Sequence, residues 1–345
     1  MNRQPWLHSA LADGVFILSP AFLVAVAVLL WPGFFTAEND VSPLLWLALV
    51  VGVDVAHVYS TLYRTYFDKE ESARYRALLI FIPLGCWIVG ILLYSAGKYV
   101  FWRTLAYLAV FHFVRQQYGF LRLYARKEDT GRRERMIDGA AVYLATLYPL
   151  VYWHTHPRSF HWFLPGDFVL LATGWLERAT WVAYMAALGA YAIQAVVYWR
   201  RTGVVNLPKH LVLAGTALSW YVGIVRFDGD LTFTATNVVA HGIPYMALIW
   251  IFERKKSDAA IYRPALVPVF LGLLLALAYV EEAFWDVLVW RDHTHFFAWL
   301  AFLPQLEEKA ALAIVVPLLA VPQATHYVLD GFIWRIRKGA LGARM

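Results

Sequence analysis

The chain has 345 residues, of which 61% are hydrophobic, 17% aromatic and only 16% charged, and it carries a net charge of +6. Soluble domains of ordinary composition carry about 25% charged residues, so the composition excludes a soluble globular protein and defines an integral membrane protein. The positive balance is no argument for nucleic acid, because in a membrane protein the placement of each charge reports orientation.

The sequence contains no zinc-finger, P-loop or Rossmann glycine pattern. Its single cysteine, Cys86, excludes an intramolecular disulfide and a thiolate-rich metal site. The N-terminus lacks a basic region leading into a short apolar core with a small-residue cleavage site, so it reads as retained.

Apolar runs long enough to cross a bilayer are about 17–25 residues. In chain order they fall at 13–35, 43–63, 77–97, 100–124, 138–156, 168–199, 208–226, 232–252, 264–285 and 310–334. The expected architecture is therefore an all-α, polytopic transmembrane helix bundle of about ten spans. It forms one integral membrane domain over residues 1–345, with no soluble domain and no repeat of fixed period.

Alternating these spans puts 22 of the 30 lysines and arginines on one side, including Arg64, the run from Arg122 to Arg135, Arg254 to Lys256, and Arg335 to Lys338. Seven fall on the other side, and Arg115 lies inside a span. Positive charge collects on the cytoplasmic face, which predicts both termini inside. The localisation expected is a bacterial inner (cytoplasmic) membrane.

Four spans carry a histidine in their interior: His57, His112, His241 and His326. All four spans run the same way in this topology, and each histidine precedes the inner basic cluster of its own span. At 1.5 Å per residue the four lie roughly 10–20 Å from the inner helix ends, so four imidazoles can meet in one layer. Each has a polar residue one turn away: Asp54 before His57, Gln116 after His112, Asn237 before His241 and Asp330 after His326.

An ionisable residue inside a membrane span is a functional-site hypothesis by default. Neutral imidazole suits iron, copper, nickel and zinc, and a ligating imidazole gives its second N–H to a carboxylate, amide or carbonyl. Asp54, Asn237 and Asp330 are the expected supporting residues. Arg115, Gln116 and Tyr245 crowd the same layer as candidates for a catalytic role, with Asp54 or Asp330 as counter-ion for Arg115 unless it reaches to the inner surface. Hydrogen-bonding between helices is the structural alternative for a single intramembrane histidine.

A second group, His154, His156, His161, His293 and His295, is expected on the outer side among aromatic residues. Interfacial histidines in an aromatic belt are the favoured reading there over a metal site. Glu281 and Glu282 are placed to serve such a site or to cap a helix end.

The histidine segments resemble the membrane-embedded, opsin-associated carotene dioxygenase family, the Brp/Blh-like proteins. The resemblance rests on Asp54-Val55-Ala56-His57, on Val110-Phe111-His112-Phe113, on the stretch from Ala240-His241-Gly242 to Ile249-Trp250, and on Val321-Pro322 with His326, Asp330 and Phe332-Ile333-Trp334-Arg335. It departs where the family's third segment has a second histidine and this chain has Tyr245, and in the spacing from Pro322 to His326. The resemblance implies a non-haem Fe(II) site of histidines and oxidative cleavage of a carotenoid double bond.

Together the residues and the resemblance point to an iron-dependent oxygenase that meets dioxygen and an apolar, polyene or lipid-like small molecule within the lipid bilayer. Its metal would be held by His57, His112, His241 and His326, with Tyr245 either replacing a ligand or donating to bound oxygen. Four other readings stay open: a di-metal oxidase or desaturase-like enzyme in which Asp54 and Asp330 also ligate, a haem or zinc protein, a proton-coupled transporter using the His/Asp pairs as a relay, and a non-catalytic membrane scaffold.

Overall fold

The computed structural model describes residues 4–36, 41–256 and 264–333. Among them every regular element is helical, as expected where lipid leaves backbone groups no partner outside their own segment. The basic residues Arg3, Arg263, Arg335, Arg337, Lys338 and Arg344, used above for orientation, lie outside the described residues.

All ten apolar runs are helices. They are α1 (Ala10–Leu30), α2 (Pro43–Arg64), α3 (Arg76–Ala96), α4 (Lys98–Tyr124), α5 (Arg132–Thr155) and α6 (Gly174–Thr202). Then come α7 (Leu207–Trp220, continued by a π-helical stretch Tyr221–Arg226), α8 (Asp230–Lys256) and α9 (Pro264–Trp290). The last run is broken into α10 (Lys309–Leu319) and α11 (Val321–Ile333), bent by 42°.

Local chemistry sets the ends. Ser42 accepts the N–H of Leu45 with Pro43 at the first helical position of α2. Asn206 caps α7 in the same way through the N–H of Lys209. Gly203, with φ 68°, closes α6 in the left-handed region that glycine enters without strain.

The expectation of ten spans needs correction. Among the described residues six helices are long and apolar enough to cross a membrane, α1, α2, α3, α6, α8 and α9, and α10 with α11 makes seven if the bent pair is one span. Helices α4, α5 and α7 fall short because they carry the polar groups: Arg103, Arg115, Gln116 and Gln117 in α4, Arg132 to Arg135 and Asp138 in α5, Lys209 and His210 in α7. The orientation argument assumed an even count, so it does not survive a count of seven unchanged.

The chain divides into two compact units, Met1–Asp40 with Val110–Pro244 and Val41–Ala109 with Tyr245–Met345. Two of the three boundaries fall inside α4 and α8, which are each continuous across them.

In the first unit α5 packs on α6 and α7, and α1 packs on α7. Its buried polar tie is Lys209, 2.8 Å from Glu128 and 3.5 Å from Asp138, with all three side chains nearly inaccessible. A buried cation is tolerable when paired in this way. Gly223 in the π stretch of α7 meets Thr236 so closely that a Cβ there would lie 2.1 Å from Thr236 Oγ1.

In the second unit α3 packs on α10 and α11, and α2 on α9 and α11. Its core gathers Val51, Ala56 and Tyr63 from α2, Tyr245 and Ile249 from α8, and Phe270, Leu274 and Ala278 from α9. At the foot of α2, buried Arg64 pairs with buried Glu253 at 3.2 Å and stacks on the Phe252 ring at 4.0 Å. Lys256 reaches Asp68 and Glu71 beside it.

Candidate metal centre

The four histidines predicted to share a depth are all buried, with exposures of 1–4%. His57 follows a π-helical stretch, Leu47–Val55, and His241 follows another, Ala235–Val239. A π turn widens the helix by one residue per hydrogen-bonded ring and is frequent at functional sites. Pro244, inside α8, lacks an N–H and adds to the irregularity just after His241.

In the second unit the rings of His57 and His326 lie 5.0 Å apart at 78°. In the first, His112 and His241 lie 5.0 Å apart, also at 78°. One ligand atom from each of His57, His112, His241 and His326 falls within 4.8 Å of the other three, and this is the one such group of potential ligands among the described residues. The chain thus has a buried histidine cluster that could hold a metal ion.

Asp54 and Asp330 stand beside the histidines that spacing assigned to them. Asp330 is 3.9 Å from His326 Nδ1 and Asp54 is 3.8 Å from His57 Nδ1, both beyond hydrogen-bond reach. Asp330 instead accepts from the Tyr245 hydroxyl at 2.5 Å. Thr61 Oγ1 lies 2.7 Å from His326 Nδ1 and 3.2 Å from Tyr245 Oη.

Asn237 gives its side-chain N–H to the carbonyl of Phe233 at 3.0 Å, back along its own helix. Gln116 donates to the backbone carbonyl of His241 at 2.9 Å. Asp54 and Asn237 both sit within π stretches, and Asp54 stands beside His57, three residues on, as its spacing expects.

Arg115 is exposed, donates to the Tyr143 hydroxyl at 2.6 Å and lies over the Tyr118 ring. Its expected pairing with Asp54 or Asp330 is corrected accordingly: two tyrosines of the first unit take the guanidinium.

Spacing alone gives no role to two residues that matter here. Thr61 is one turn after His57, yet its ring partner, His326, lies far along the chain. Phe113 stacks flat on His241, with centroids 3.5 Å apart and planes 6° apart, and meets Trp162 edge-on at 5.0 Å. No local pattern could have found that stack.

The outer histidines bind their own surroundings. His154 Nδ1 is 2.6 Å from the carbonyl of Val169, His156 stacks on Tyr152 at 4.0 Å, and His293 stacks on Trp46 at 3.9 Å with His295 against Phe296. Glu281 accepts from Tyr59 at 2.6 Å. Compared with known proteins, the chain matches no family model, no curated protein and no solved structure.

Proposed function

We propose that this chain is a membrane-embedded metalloenzyme: a mononuclear, non-haem iron(II) oxygenase that acts on an apolar, polyene- or lipid-like substrate. The observation that carries the reading is the convergence of four buried imidazole nitrogens within 4.8 Å. Nitrogens bound to one ion at about 2.1 Å stand no more than about 4.2 Å apart, a separation on the same scale as that of this group. The donor set is all-imidazole, with the lone thiol, Cys86, outside it, which suits iron among the oxygen-activating metals.

The bound ion would supply dioxygen activation and an open coordination position. The protein's part is to hold and shield. His57, His112, His241 and His326 would ligate; Phe113 covers one face of His241 and, with Trp162, keeps water from that ring; Thr61 and Gln116 hold the His326 ring and the His241 backbone. Tyr245 stands edge-on to His57 and His326, at 5.8 and 5.1 Å between centroids.

An apolar substrate would enter from the bilayer, in a bacterial cytoplasmic membrane with the positively charged loops inside. The carotene dioxygenase resemblance supports a polyene as the first substrate class to screen.

Elemental analysis and an absorption spectrum on protein purified without added metal or chelator test the reading. About one iron per chain without a Soret band is expected. Two metals would replace it with a dinuclear enzyme, and a Soret band with haem. No metal, with reconstitution also failing, would sink it.

A further inference from the structure

The contacts beside His326 carry a direction as well as distances. The Tyr245 hydroxyl donates its one hydrogen to Asp330 Oδ1 at 2.5 Å, the carboxyl oxygen accepting. Tyr245 Oη then presents only lone pairs to Thr61 Oγ1 at 3.2 Å, and the Thr61 hydrogen turns towards it. With that hydrogen committed, Thr61 Oγ1 can only accept from the ring nitrogen 2.7 Å away, and His326 Nδ1 must carry a proton. A neutral imidazole protonated at Nδ1 keeps its lone pair at Nε2.

We infer that Asp330, Tyr245 and Thr61 form a proton-ordering relay that fixes His326 in the Nδ1–H form and so presents its Nε2 lone pair to a cation at the histidine cluster. Thr61 is the positioning residue: its hydroxyl lies within hydrogen-bond distance of both Tyr245 Oη and His326 Nδ1. The relay's purpose rests on the metal reading above, but the tautomer it dictates does not. Without the relay Thr61 is free to donate to Nδ1, which moves the ring proton to Nε2 and blanks the ligand atom. Ligating histidines elsewhere depend on such partners for about 10–100-fold of metal affinity.

At the other pair Gln116 reaches the backbone of His241, and Phe113 reaches its ring by stacking.

The test is nitrogen NMR of the full-length, metal-stripped chain labelled at histidine, with the His326 signal assigned by its loss in His326→Gln, followed by iron(II) and zinc titration of the same samples. Wild type should show His326 protonated at Nδ1. Thr61→Ser should keep that form and the affinity. Thr61→Val should lose the preference and bind metal about tenfold more weakly. Tyr245→Phe, which keeps the ring's volume, should lose the preference as well and covers the case in which the valine variant fails to fold.

An Nε2–H wild-type ring, or valine and phenylalanine variants with unchanged tautomer, would overturn the relay. An Nδ1–H ring that responds to these substitutions in a chain that binds neither metal would uphold the relay and overturn the metal reading instead.

Discussion

The pair His57–His326 and the pair His112–His241 have the same ring separation and the same interplanar angle, and the contacts described around them differ in kind. The first is flanked by a threonine, a tyrosine and a carboxylate whose hydrogen bonds are directional. The second is held by a flat phenylalanine stack and an amide that grips backbone. Directional bonds set which atom of a ring carries the proton; stacking sets only the plane of the ring. The comparison teaches that equal geometry need not mean equal chemistry, and the two sides should respond differently to the same kind of damage.

The largest effect is expected at the ligands themselves. His326→Ala and His241→Ala should each remove most bound metal while the chain still folds in detergent; elemental analysis of the purified variants checks this, and full retention in either would break the four-histidine reading.

Next comes Arg64→Ala at the foot of the helix that carries His57. It leaves Glu253 buried without its guanidinium, and breaking such a pair costs about 3–5 kcal/mol. Thermal unfolding in detergent should show a loss of that order, and a loss below about 1 kcal/mol would mean that the pair is not what anchors α2.

A smaller effect is expected on the stacked side. Phe113→Leu removes an aromatic contact worth about 0.5–1.5 kcal/mol, so metal affinity should drop by a few fold. An unchanged titration would show that the stack does not steady His241.

Smaller still is a pH effect at Asp68, in the turn after α2. Burial alone would raise its carboxyl, but hydrogen bonds from Lys256 and from the N–H groups of Glu71 and Glu70, together with the Lys256 charge, hold it below its ordinary value. A depressed carboxyl contributes stability that is complete above its unfolded value and lost as pH falls through the folded one. Acid unfolding curves of wild type and Asp68→Asn should converge at low pH and separate towards neutrality, with wild type the more stable; parallel curves would remove Asp68 from the account.

The smallest effect is none. His293→Ala combined with His295→Ala should leave the core metal content unchanged, and its loss would put the site on the wrong face.

The four histidines were legible in the sequence because each is an ionisable residue inside a long apolar run with a polar residue one turn away. The helical runs were legible by apolar length, although α4, α5 and α7 show that length is not enough: their arginines, acids and amides make them helices of the bundle without making them apolar spans.

The partners were less legible. Asp54 and Asn237 were matched to histidines by ordinary helical spacing, while the chain there runs through the π stretches Leu47–Val55 and Ala235–Val239. Nothing in the chain announces a π stretch as a proline announces a kink. Thr61 with His326 and Phe113 with His241 depend on which helices neighbour one another, a matter of packing that no periodicity encodes.

Gly223 has a consequence for how freely this part of the chain can vary. Thr236 stands where its Cβ would go, and the Thr236 hydroxyl is itself engaged with the carbonyl of Thr232 at 2.8 Å, so the obstacle cannot simply swing aside. Thr236 belongs to the π stretch that ends just ahead of His241. Even the exchange of one hydrogen for a methyl group would thus be relayed along α8 to an imidazole, and the residue with no side chain at all becomes one of the least replaceable in its neighbourhood.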